Sequence, residues 1–265
     1  MPYNETPEKG LAIESCGLQG NAADNSPEAM QNPHKNDLCV TGIAHPISIS
    51  DLVELQEEVD DSGLEYGSRF QHKGPPADRT PLTKLPPLHG SIQIGEGSLV
   101  TVVGYLAEAH YSPQSASSKG ETVNCGKSEH EMADIHVALS SEPGAIKKAD
   151  PKRVEKLCRT ISAEFIPHAR PATWDVPTLS QVIDIERPVR VTGHLFFDAS
   201  HQPCRNGTPV GSDPRRITEW EIHPVYTFEV CKFADITKCS ATSRAAWQPV
   251  SNVDSIDLEN ESDEE

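Results

Sequence analysis

Trp220-Glu221-Ile222-His223-Pro224-Val225-Tyr226-Thr227-Phe228-Glu229-Val230 is the stretch on which the reading of the fold turns. Large apolar residues at 220, 222, 226, 228 and 230 alternate with polar ones at 221, 223, 227 and 229. A period of two sustained over that length belongs to a half-buried β-strand. Working backwards, four more segments read the same way. Pro188 to Phe197 puts Val189, Val191, Leu195 and Phe197 in phase, with Gly193 at a bend. Ile161 to Ile166 turns Ile161, Ala163 and Phe165 to one side, and Ala133 to Ser140 alternates Ile135, Val137 and Leu139 with Asp134, His136 and Ala138. Leu99 to Ala109 is an apolar run interrupted by Gly104, where a bend or bulge is expected.

Between these strands lie two helical stretches. Asp150-Pro151 opens one to about Arg159, with proline at the tolerated first position, and residues 174–184 suggest another. Upstream, Asp51 followed three residues later by Glu54 reads as a helix start, giving a helix over about 50–61 that docks through Leu52, Leu55 and Val59. The expected fold is therefore all-β with short helices. Its order matches the five-stranded OB-like Greek-key barrel, with another small barrel or a sandwich as the rival. Residues 98–235 form the domain. Residues 1–97, rich in proline, glycine and polar residues, read as a long irregular N-terminal arm carrying the one short helix. Residues 236–265, ending Glu261-Ser262-Asp263-Glu264-Glu265, read as an acidic disordered tail.

The formal net charge is −17, from 23 basic and 40 acidic residues, and most of the excess acid falls outside the candidate domain. An acidic chain repels phosphate backbones at long range, which disfavours nucleic acid as a partner without closing off a local basic groove. No run reaches the roughly 18 apolar residues of a membrane helix, and no secretory leader is visible near Met1. A cytoplasmic location is expected, with a trimmed exported form as the alternative. The seven cysteines contain no C-x-x-C pair, so zinc ribbons and thioredoxin-like motifs are unsupported. If disulfides form, Cys125 with Cys158 is the first pair to test, because each precedes a strand.

Turning the apolar set inward leaves Asp134, His136, Ser162, Glu164, Arg190, Thr192, His194, Glu221 and His223 on the outer face. Adjacent strands lie ~4.8 Å apart, so His136, Glu164 and His223 fall in one row. Such a set has the chemistry to hold a divalent metal, or to supply a Glu base and a His acid. The bland alternative is a solvated outer face of cross-strand pairs. Lys152, Lys156 and Arg159 at helical spacing, and Arg205, Arg215 and Arg216 in the loop before the last strand, are the basic candidates for an anionic ligand. A loop set of Asp198, His201 and Cys204 is a weaker metal candidate. Asp134, Glu164 and Arg190 are the residue types used by some OB-fold nucleases, a match by fold alone. No G-x-S-x-G elbow, phosphate-binding P-loop or dinucleotide fingerprint occurs.

Four pieces carry a resemblance: Ala133-Asp134-Ile135-His136-Val137, Ala163-Glu164-Phe165-Ile166-Pro167-His168, Val191-Thr192-Gly193-His194-Leu195-Phe196-Phe197-Asp198 and Trp220-Glu221-Ile222-His223-Pro224-Val225. Together they resemble a widespread group of uncharacterised bacterial proteins of OB-like fold, whose last motif, W-E-I-H-P-V, is the most specific. The resemblance spans about 99–231 and implies a shared domain but no reaction and no ligand. Three functions are expected in order: an OB-like binding module, with scarce aromatics arguing against a single-strand stacking platform; a metal-dependent hydrolase or nuclease using His136, Glu164 and His223; and a structural or interaction domain.

Overall fold

The computed structural model describes residues 17–36, 42–66, 78–89, 93–114, 117–167, 169–210 and 215–250. It is mostly sheet with a few short helices. In chain order the elements are α1 (Pro27–Lys35), β1 (His45–Ile47), α2 (Ile49–Asp61), β2 (Leu99–Ser112), β3 (Asp134–Ser140), α3 (Arg153–Leu157), β4 (Ile161–Phe165), α4 (Val176–Asp184), β5 (Pro188–Phe197), β6 (Trp220–Cys231) and β7 (Trp247–Pro249). Strand pairing runs β2-β3-β4-β6-β5 and returns from β5 to β2, a ring of five strands, with β1 and β7 added at its margins. All ring pairings are antiparallel except β4 with β6, which is parallel and limited to Ser162 opposite Glu221 and Ala163 opposite Ile222. Pro224, which donates no ladder hydrogen bond, lies just beyond that narrow seam.

The alternating apolar residues meet as one core: Val100, Ile135, Phe165, Val191, Ile222 and Phe228 are all within it. Trp220 is fully buried and meets Phe197 edge-on. The expected bend at Gly193 is present as two register shifts in the β5–β6 pairing. A Cβ there would sit 2.2 Å from the Pro224 carbonyl oxygen, so only glycine fits. The β2 irregularity lies between Leu106 and Glu108, not at Gly104.

The arm is more structured than its composition implies. The helix over 49–61 starts on Ser48, not Asp51: the Ser48 hydroxyl accepts from the Asp51 amide at 3.1 Å, and Asp51 accepts from the Ser48 amide at 2.8 Å. Asp51 is thus the acid of the capping box and not the cap. Leu52, Leu55 and Val59 bury fully, each worth ~1.5–3 kcal/mol relative to exposure. α1 is a second helix that the composition conceals. Residues 236–250, assigned by composition to the tail, fold back: β7 pairs with β6, and Trp174 Nε1 donates to the Val250 carbonyl at 3.1 Å. Residues 251–265 lie outside the described residues.

Cys158 bonds Cys204 and Cys231 bonds Cys239, which corrects the expected Cys125–Cys158 pair. The loop after β5 returns beneath the end of α3 and brings Cys204 to Cys158, while Cys125 is itself disulfide-bonded. Among the described residues no helix is long and apolar enough to cross a membrane.

Candidate functional site

Part of the outer face of the ring is covered. Around His136, Glu164 and Glu221 it lies beneath α1, the 117–126 loop and the loop after β5, while Thr227 on β6 stays exposed; between sheet and cover is a partly open cavity of about 620 Å3. α1 forms here because Ser26 caps it, accepting from Ala29 N at 3.1 Å, with Pro27 and Glu28 in its first turn. Polar residues then fasten it down. Asn32 donates to the Gln19 backbone carbonyl and to Thr122 Oγ1, Gln31 Nε2 donates to Ser200 Oγ, and Gln31 Oε1 accepts from Ala199 N.

Strand register puts His136 directly opposite Glu164 and His110 opposite His136. Glu164 lies between two imidazoles, with His136 Nε2 at 3.4 Å from one oxygen and His223 Nε2 at 2.7 Å from the other. Lys35 Nζ, from the end of α1, is 3.7 Å from Glu164 and over the Phe196 ring. Glu121, from the loop, lies 3.0 Å from His136 Nε2. Asp134, at the start of β3, is fully buried; among the described residues its oxygens make no hydrogen bond of normal geometry, and the Asn124 side chain is its uncharged polar neighbour.

Burial and charge act against each other across this cluster. Burial alone would neutralise His136, but Glu164 and Glu121 reverse that and push it up to about 10. Burial likewise opposes the charge on Glu164, yet His136, Lys35 and His223 hold it well below the usual carboxylate range. Asp134 is pushed up to about 7 by burial and by the neighbouring Glu121 and Glu164. Burial lowers His223 despite Glu164, and lowers His110 to about 4 with help from His136 and Arg153. The arrangement is a charged His136 between two carboxylates, a neutral His223 behind them, and an acid poised near neutrality.

A second polar group lies alongside. Arg216, fully buried, donates to Glu221 at 2.6 Å and to Asp198 at 2.9 Å, and Asp198 also meets His201 Nδ1 at 2.6 Å. Arg216 was expected as a ligand-facing loop residue; it is instead the internal counter-ion of two acids. Cys204 was a candidate metal ligand beside Asp198 and His201, but its sulfur is committed to Cys158. The other basic candidates divide. Arg215 lines the cavity, while Arg205 is exposed. Lys156 and Arg159 pair with Asp150 and Glu155 on the surface, and Lys152 is exposed, so that helix face does not reach the cavity. Arg190 does not complete a nuclease-like trio: it pairs with Glu229, donates to the Ala241 and Ser243 carbonyls and lies over Trp247. His168 lies outside the described residues.

The structure therefore brings His136, Glu164 and His223 together with Asp134, which alternation had also turned outward, and adds two residues that periodicity missed, Lys35 and Glu121. Lys35 had a signal, the Ser26-Pro27-Glu28 helix start nine residues upstream of it. Glu121 lies in an irregular loop and had none.

Glu219, beside the Arg216 group, yields a pH test. Burial raises its carboxyl from 4.5 to about 8, against the pull of Arg216 and of Gln56, whose Nε2 donates to it at 3.1 Å. The stability this group contributes is present in full below pH 4.5 and lost as pH rises through 8. Glu219→Gln keeps the shape without that loss. It is expected to resist urea better than the parent by roughly 2–4 kcal/mol at pH 9, with the gap closing by about pH 5. An equal gap at both pH values would refute the assignment.

Comparison with protein-family models, curated proteins and solved structures finds no match to this chain.

Proposed function

We propose that this chain is a binding module of OB type that encloses a small, mixed-charge polar ligand between the outer face of its strand ring and its N-terminal arm. The observation that carries the reading is the cavity itself: about 620 Å3, within the range of small-molecule sites, walled by His136, Glu164 and Glu121 on one side and Lys35, Arg215 and His201 on others. A solvated face needs no roof; this one is covered by a helix fastened with buried amides. Both signs of charge line the space, which suits a zwitterion or a hydroxylated acid better than a purely anionic polymer. The order of the ring strands supports the OB assignment. The disulfides favour the exported alternative over the cytoplasmic one, because such bonds persist in oxidising compartments.

The test is native mass spectrometry and thermal unfolding of the purified protein against a library of polar small molecules. At least one compound is expected to bind saturably and raise the unfolding midpoint. Ala138→Trp, placed on the cavity wall, is expected to abolish that shift while leaving the far-ultraviolet spectrum unchanged. A library without a single binder, or binding undiminished in Ala138→Trp, overturns the reading.

A further inference from the structure

We infer that Glu121, Asp134, His136 and Glu164 form a binding site for one divalent transition ion on the cavity side of the sheet. Each offers one ligand atom, and these atoms all lie within 4.8 Å of one another. That spread lets a central ion reach all four at about 2.0–2.2 Å with modest side-chain adjustment. Three carboxylate oxygens and one imidazole nitrogen suit Mn2+ or Zn2+ better than Ca2+, which favours an all-oxygen shell. The inference does not depend on the proposed ligand binding.

The observation that separates this set from an ordinary acidic cluster is Asp134. It is fully buried and lies with the other three groups, and among the described residues its oxygens make no hydrogen bond of normal geometry, the Asn124 side chain being its one uncharged polar neighbour. Buried carboxylates in folded proteins are paired, hydrogen-bonded or bound to metal. Lys35 is engaged with Glu164, Arg153 with Glu108, and Arg170 with the Ala133, Phe165 and His130 carbonyls, so the positive charge nearest Asp134 is that of His136, whose proton the ion replaces on binding.

A second grouping, Glu164 with Glu221 and His223, shares Glu164 but differs in one respect. There Glu221 is already held by Arg216 at 2.6 Å, whereas Lys35, 3.7 Å from Glu164, is common to both groupings. A metal there would have to displace the bound guanidinium. This assigns the ion to the Glu121 side and leaves His223 behind Glu164 as an orienting neighbour, where an outer partner of a ligating carboxylate belongs. The sequence-level trio of His136, Glu164 and His223 thus becomes two ligands and one supporting residue.

The experiment uses the full chain, stripped with a chelator and titrated calorimetrically with Mn2+, Zn2+ and Mg2+. One Mn2+ or Zn2+ per chain is expected, preferred over Mg2+. The isosteric Asp134→Asn, which removes a buried charge and so leaves the fold intact, is expected to weaken binding at least about 100-fold, and Glu121→Gln about tenfold or more. The acidic run at Glu261–Glu265 is present in every variant, so weak tail binding drops out of the comparison. His223→Gln is expected to keep the one-to-one stoichiometry, with the affinity reduced about 10–100-fold, as for an outer partner of a ligand. The electron paramagnetic spectrum of bound Mn2+ gives an independent readout of nitrogen ligation, expected to be lost in His136→Gln. Absence of stoichiometric binding in the parent, parental affinity in Asp134→Asn and Glu121→Gln, or loss of the ion in His223→Gln would each overturn the assignment.

Discussion

Arg216→Ala is expected to destabilise the protein by about 3–5 kcal/mol, a large fraction of what holds a domain of this size together. The guanidinium is fully buried and is shared between Glu221, Asp198 and the backbone carbonyls of Asp198 and His201. Alanine would strip Asp198, which His201 and Arg216 hold ionised, of its buried counter-ion, while burial, which already pushes Glu221 up to about 8, would keep Glu221 neutral; the uncompensated Asp198 charge, more than the lost attraction, sets the cost. Urea denaturation at neutral pH measures it directly. Arg216→Lys is expected to fall between the two, because an ammonium on a flexible stem cannot serve both carboxylates in a forked geometry. An alanine variant with the parental midpoint would mean that the acids are relieved some other way, and would remove the structural role assigned here.

Reduction is the second large effect. Cys158 and Cys204 are 46 residues apart in sequence, which by loop entropy corresponds to about 4 kcal/mol. Cys231 and Cys239 are only 8 apart, which corresponds to about 2.5 kcal/mol. A Cys158→Ala, Cys204→Ala double variant is therefore expected to lose more than the Cys231→Ala, Cys239→Ala pair. The first bond also fixes the loop from which Arg216 reaches inward: Cys204 N donates to the Arg216 carbonyl at 2.7 Å, and Ile217 N to the Thr160 carbonyl at 2.8 Å. Its loss and Arg216→Ala should accordingly be less than additive when combined. The measurement is equilibrium unfolding of each variant beside the parent, with and without a thiol reductant. Equal midpoints in reductant and in its absence would refute the pairing.

The strands were legible because each carries its own signal. Alternation places Ile135, Val137, Val191 and Ile222 inward without reference to any other part of the chain, and the residues between them, His136, Glu164 and His223, do emerge on the opposite face. What alternation does not encode is the fate of that opposite face. A polar outward residue reads as solvated unless something covers it, and the cover here is made of Gln31, Asn32 and Lys35, polar residues with no apolar stripe to betray a buried helix. Arg216 was misread for the same reason: a loop arginine soon after Gly211 and Pro214 looks like surface, and only its meeting with Asp198 and Glu221 in the fold makes it interior. Trp247 and Val250 were lost in an acidic tail because three residues of strand are too few to show a period. The disulfides were out of reach altogether, since spacing fixes neither partner nor compartment.

The distance along the chain between the arm and its seat has a consequence for biosynthesis. Gln56 on α2 accepts from the Glu219 amide and from Thr218, residues that leave the ribosome more than 160 positions later. Throughout that interval α2 lacks its seat on β6, and Leu52, Leu55 and Val59 lack the packing that β6 supplies. Such long-range closure is slow compared with local helix formation. The nascent N-terminal segment is therefore the part of this molecule most in need of a chaperone's shelter, and docking of the roof over the polar face is a late event in its maturation.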